Sequence, residues 1–191
     1  YAQYQVVDNR GIDGTDTVKN VITLRFADGD LDITPSGLDL SGTTSADILT
    51  GDIGDDLIKG LGGNDTLSGG SGDDEIQGGD GDDTIEGDDG NDTLYGGAGN
   101  DTIDGGAEID VIYGGDGNDI LKDNGNSTIY GEGGNDTIGS ATTEYSAKHK
   151  AGGRTQGLKA YGGDGDDTIS APFFEIVDAG TGDDVVTLGF G

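Results

Sequence analysis

The sequence predicts an all-β solenoid, a stack of 18-residue turns in which each turn carries two short strands joined by edge loops. Three observations lead there. A nine-residue period runs from about Gly51, the eighth place of each unit is aliphatic, and glycine and aspartate crowd the first six places. A short β segment at the N-terminus precedes the stack.

The units read Gly51–Lys59, Gly60–Ser68, Gly69–Gln77, Gly78–Glu86, Gly87–Tyr95, Gly96–Asp104, Gly105–Tyr113 and Gly114–Lys122. An eight-residue unit, Asp123–Tyr130, precedes Gly131–Gly139. The period breaks at 140–161 and returns at Gly162–Ser170 and Ala179–Thr187, with a degenerate unit between them. A weaker unit, Gly42–Thr50, opens the series.

Each place has a physical task. Glycine at places one, two and four admits positive φ and lets carbonyls converge on an ion. Aspartate at place six supplies a carboxylate. The eighth place holds Leu49, Ile58, Leu67, Ile76, Ile85, Leu94, Ile103, Ile112, Leu121, Ile129, Ile138, Ile169 and Val186. In a strand of about three residues, period-two geometry turns one side chain inward and its neighbours outward. One aliphatic per unit makes a thin core, so turns must stack to bury it. The eight-residue unit loses a loop residue yet keeps Ile129 in line with Leu121 and Ile138.

The composition demands a counterion. Of 191 residues, 41 are glycine and 39 are Asp or Glu against 9 Lys or Arg, a formal charge of −30. Such a chain lacks the apolar surface to offset its entropy and repels itself. A hard divalent cation is the natural partner for carboxylates and backbone carbonyls. The bulk field excludes nucleic acid and anionic membranes as partners. Without cysteine there is neither disulfide nor thiolate metal site. No apolar run is long enough to span a bilayer. The chain starts at Tyr1 without methionine or signal pattern and reads as a piece of a longer protein. No G-x-S-x-G elbow or H-E-x-x-H helix is present, so no enzymatic role is expected.

Residues 1–40 lack the period. Tyr4–Asp8 and Val21–Asp30 read as strands with a turn at Asp28-Gly29, a β cap on the open end of a roll spanning 41–191 with an insert loop at 140–161.

The units resemble the RTX (repeats-in-toxin) haemolysin-type nonapeptide G-G-x-G-x-D-x-apolar-x, over roughly Gly42–Thr187 apart from the insert. The resemblance implies a right-handed parallel β-roll holding several calcium ions between loops of successive turns. It also implies type I secretion, folding on calcium outside the cell or at its surface, and a parent protein of adhesin or toxin type.

Loops two units apart share an edge. One edge carries Asp56, Asp74, Asp92 and Asp110 and then meets Ser127. The other carries Asp47, Asp65, Asp83, Asp101, Asp119, Asp136, Asp167 and Asp184. The second ion row is expected to be longer, and the first to falter near Glu108-Ile109 and Ser127. Further expected contributors are Gly60, Gly62, Gly69, Gly70, Gly72, Gly78, Gly79, Gly81, Gly96, Gly97, Gly99, Gly114, Gly115 and Gly117. Asn64, Asn91, Asn100 and Asn118 complete the set. Calcium suits such loops better than magnesium, which wants a rigid octahedron and its waters. The bland alternative makes the aspartates mere turn formers, but turn propensity does not demand a strict phase.

Three further features stand out. Place nine on one face reads Lys59, Gln77, Tyr95, Tyr113, Tyr130 and, if the insert keeps phase, Tyr161. This aromatic ladder either contacts a sugar or protein partner or stabilises its own sheet. The insert holds Lys148, His149, Lys150, Arg154 and Lys159, cations for neighbouring acidic loops or an anionic ligand. The opposite face carries Thr66, Thr84, Thr102 and Thr137, good strand residues in their own right. The alternative function is an accessory carbohydrate-binding calcium module of a secreted polysaccharide-modifying enzyme, similar to those of alginate epimerases.

Overall fold

The structure, a computed structural model, describes residues 37–123, 126–140, 158–171 and 174–188, together with 25–26 and 29–30. Near the N-terminus β1 (Arg25–Phe26) pairs antiparallel with β2 (Gly29–Asp30), Phe26 opposite Gly29. Asp28, one of the two residues of the expected turn, lies outside the described residues. Tyr4–Asp8, and with it the question of a cap, lies outside the described residues.

All other strands alternate between two eight-stranded parallel sheets. The first sheet comprises β3 (Asp39–Ser41), β5 (Leu57–Gly62), β7 (Glu75–Asp80) and β9 (Thr93–Ala98). It continues with β11 (Val111–Asp116), β13 (Thr128–Gly133), β15 (Leu158–Asp164) and β17 (Phe174–Asp178). The second comprises β4 (Ile48–Thr50), β6 (Thr66–Ser71), β8 (Thr84–Asp89) and β10 (Thr102–Asp104). It ends with β12 (Ile120–Asp123), β14 (Thr137–Ser140), β16 (Thr168–Ala171) and β18 (Val185–Leu188). Among the described residues there is no helix, and the architecture is a parallel β-solenoid consistent with a β-roll.

The eighth places stack in two straight lines. Ile58 pairs with Ile76, then Leu94, Ile112 and Ile129 in the first sheet. In the second, Leu49 is followed by Leu67, Ile85, Ile103, Leu121, Ile138, Ile169 and Val186. Buried aliphatics from the two lines form one continuous core. The expected inward position fails at the ends. Leu49 is only partly buried and Val186 is 42% exposed, because a terminal turn has a neighbour on one side only.

Three core positions were hidden by degenerate units. Leu40 pairs with Ile58, so the roll already includes β3, ahead of residue 41. Ala160 and Val177 continue the first line beyond Ile129. The insert is also shorter than 140–161. Strand β14 runs to Ser140 and β15 begins at Leu158, whose side chain is buried beside Ala160. The excursion is thus 141–157, and phase survives it: Tyr130 pairs with Tyr161.

The loops need left-handed backbone. Gly79 has φ 113°, and a Cβ there would run into the Leu61 carbonyl of the previous turn. Leu61, Asp88 and Glu132 occupy the same second place with φ near 75° despite their side chains. Such residues store local strain, which shows how strongly stacking overrides residue preference in these loops.

Candidate metal centres

Each loop delivers its sixth-place aspartate to the roll edge, where it is drawn under the next turn. The Asp47 N–H donates to Asp65 Oδ1 at 2.8 Å, and the same bond recurs from Asp65 to Asp83, Asp83 to Asp101 and Asp101 to Asp119. It continues through Asp136 and Asp167 to Asp184, across the 141–157 excursion. On the other edge the chain of donors runs Leu38, Asp56, Asp74, Asp92, Asp110. This ladder passes Glu108-Ile109 unbroken; Glu108 turns its carboxylate to the Gly90 N–H at 3.1 Å, and Ile109 is exposed. At Ser127 the chemistry changes, and the serine Oγ accepts the Asp110 N–H at 2.7 Å.

One oxygen of each carboxylate is therefore spent on the backbone, and the other is not. The buried Oδ2 atoms of Asp74, Asp92 and Asp110 on the first edge have no hydrogen-bond partner. Neither do those of Asp65, Asp83, Asp101, Asp119, Asp136 and Asp167 on the second. The two rows of orphaned oxygens are unequal, three against six. At the start of the roll the pattern differs. Thr43 N–H and Oγ1 satisfy Asp47 Oδ2 at 2.6 and 2.9 Å, and Asp52 N–H satisfies Asp56 Oδ2 at 2.8 Å. Asp184, in the last described turn, is half-buried.

The orphaned oxygens are not isolated. A Cβ placed on Gly60 would collide with Asp65 Oδ2 and with the Gly78 carbonyl from the next turn, and the same pair of oxygens closes over Gly69, Gly78, Gly96 and Gly114. Glycine at place one thus keeps open a cradle of one carboxylate and one carbonyl. Among the described residues no three Asp, Glu or His side chains gather as a metal-binding group. A donor set made of oxygens alone, a carboxylate beside a carbonyl, suits calcium rather than zinc, which takes nitrogen and sulfur.

The fifth-place side chains do something else. The oxygens of Asn64, Asn100, Asn118 and Asn135 accept the backbone N–H of the next turn, from Asp82, Asn118, Asn135 and Asp166. Asn91 Nδ2 donates to Asp73 Oδ1 at 3.0 Å. These residues are exposed, and the side chains of Asn64, Asn91, Asn100 and Asn118 form an outer ladder between loops. An amide carries its own donor and bridges two loops without a cation. Backbone N–H donation from Asn91 and Asn100, followed by their side-chain amides, holds Asp73 and Asp82 below the ordinary carboxylate range.

Electrostatics separates the two ladders. Burial pushes Asp74 up to about 6 and Asp92, Asp101 and Asp136 up to about 7, with neighbouring carboxylates adding to the rise. Asp110 is raised as well, first by burial and then by the adjacent Asp123 carboxyl. Without a cation the folded roll binds protons more tightly than the unfolded chain does. The resulting stabilisation is complete below the unfolded carboxylate value, near 4, and is lost as pH rises through about 7. In EGTA, acidification from pH 8 to about 5 is therefore expected to raise the β signal in far-UV circular dichroism. A signal that falls or stays flat over that range would contradict the buried placement of these carboxyls.

On the first sheet the Tyr95, Tyr113, Tyr130 and Tyr161 rings stack in a column, with centroids 5.0, 4.9 and 4.9 Å apart and planes within 13° of parallel. Lys148, Lys150 and Arg154 lie outside the described residues.

A stack of parallel turns with one unsatisfied carboxylate oxygen under nearly every loop defines a β-solenoid whose loops are built to take cations. Sequence comparison gives the family. The RTX calcium-binding nonapeptide repeat matches residues 41–76, 68–103, 77–112, 95–122, 123–140 and 159–171, more than half of the chain, and the chain belongs to that family. A search of curated proteins found no match. Calcium binding follows from family membership, and the orphaned Oδ2 atoms are where the residues fit it.

Proposed function

We propose that this roll is a non-catalytic folding module of a larger exported protein of adhesin or toxin type, unfolded at cytosolic calcium and folded outside the cell. The observation that carries the reading is the row of buried Oδ2 atoms without partners. An unpaired buried carboxylate costs several kcal/mol, so the folded state at neutral pH depends on a cation that only some compartments supply. Type I secretion fits a chain that must cross a membrane unfolded. Its remaining partner is then the parent polypeptide.

A glycan-binding role finds less support. The tyrosine rings already cover one another's faces, leaving edges rather than platforms, and Asp116 and Glu132 flank the recess beside Tyr95 and Tyr113. That charge disfavours an anionic polysaccharide.

The test is the calcium midpoint of folding, read by circular dichroism at pH 7.5. A midpoint in the range of extracellular modules, about 10⁻⁴–10⁻³ M, is expected. A midpoint below about 10⁻⁶ M would mean that the chain folds before export and would overturn the proposal.

A further inference from the structure

The chain has no cysteine, methionine or tryptophan, so the sulfur and indole side chains that yield first to oxidants are missing. Tyrosine is left as the most easily oxidised residue, beside a single histidine. Four of the seven tyrosines stand in one column, for Tyr95, Tyr113, Tyr130 and Tyr161 are register partners on successive strands of the first sheet. The column holds across the eight-residue unit and the 141–157 excursion, the two places where the period is broken.

Neighbouring rings are nearly parallel with centroids no more than 5.0 Å apart, so their π-systems face one another directly. Neither end of the column passes a radical on: Gln77 is the register partner of Tyr95, and Asp178 that of Tyr161. Tyr95 is 38% exposed and the other three are half-buried, so an oxidant reaches the column from solvent. Asp116 and Glu132 line the recess beside Tyr95 and Tyr113 and offer carboxylates to accept a phenol proton.

We propose that the tyrosine column is a modification site, at which hydrogen peroxide activated by a haem peroxidase joins neighbouring rings into dityrosine links between turns. In two one-electron steps, each of two adjacent phenols gives an electron to the activated peroxide and its hydroxyl proton to solvent or a carboxylate. The two phenoxyl radicals combine through a bond between ring carbons ortho to the hydroxyls. The hydrogens of those carbons then move to the oxygens and restore both hydroxyls. The two electrons and two protons reduce one hydrogen peroxide to two waters. A link ties residues a whole turn apart and restricts the unfolded chain as a disulfide does, giving the oxidised roll a hold that needs no cation.

The test treats the full chain in calcium with a haem peroxidase and hydrogen peroxide, and maps links in the monomer by tandem mass spectrometry. Links are expected between Tyr95 and Tyr113, Tyr113 and Tyr130, and Tyr130 and Tyr161, each lowering the mass by two hydrogens. Tyr113→Phe, which keeps a ring in the stack, is expected to leave the link between Tyr130 and Tyr161 as the one ladder link. A wild-type monomer without links, or links confined to pairs that include Tyr1, Tyr4 or Tyr145, would overturn the proposal. The oxidised monomer moved into EGTA at pH 7.5 is expected to keep more β signal than the untreated chain, and an equal loss would overturn the stabilising role. That second readout rests on the calcium-dependent reading of the roll, whereas the link map does not. An untreated roll that stays folded in EGTA therefore sinks that reading alone and leaves the mapped links in support of this one.

Discussion

Removing calcium with EGTA at pH 7.5 is expected to abolish most of the β signal and to collapse the amide shift dispersion to the narrow range of an unfolded chain. Nine buried Oδ2 atoms then have nothing to bind, within a chain of formal charge −30. Bulk screening cannot repair this. Sodium chloride at about 1 M shortens the Debye length to about 3 Å and weakens long-range repulsion, but it places no ligand in a dry cradle. Salt is therefore expected to leave the EGTA-treated chain unfolded, and millimolar magnesium to restore it poorly, since magnesium sheds its waters reluctantly. On the proposed reading, calcium binding energy is expected to appear as folding energy. A roll with full β signal in EGTA at neutral pH would sink the argument.

The second large effect concerns the core. Ile103 is fully buried and lies in register between Ile85 and Leu121. A turn contributes only one aliphatic per sheet, so no second layer can close over a gap. Ile103→Ala is expected to cost about 2–5 kcal/mol, the range for truncating a large aliphatic in a packed core. Val186→Ala, at the 42% exposed end of the same line, should stay within about 1 kcal/mol. Urea unfolding in saturating calcium measures both. Equal losses at the two sites would mean that stability does not depend on stacking.

Much of this molecule was legible beforehand because a solenoid's important contacts repeat at a fixed sequence interval. The Asp47, Asp65, Asp83 series and the Ile58, Ile76, Leu94 line lie one turn apart, so phase alone assigns neighbours. Where a unit degenerates, phase fails. Leu40, Ala160 and Val177 occupy core positions that no motif marks, and hydrogen-bonded pairing to Ile58, Ile129 and Ala160 is what identifies them. The period places an asparagine or aspartate at the fifth place of many loops, beside the sixth-place carboxylate. Their bonding to the next turn's N–H groups becomes visible only once the loops are stacked.

By itself the sequence determined the period, the inward aliphatic, the division of aspartates between two edges and the need for a cation. All of these are local properties multiplied by repetition. The tertiary structure decided which oxygen of each carboxylate is left over, because that depends on the N–H of a residue a whole turn away. It decided that the tyrosines face one another, since ring stacking needs the strand spacing. It decided as well that Ser127 takes the place of an aspartate in the first ladder, because its hydroxyl meets the Asp110 N–H from the preceding turn.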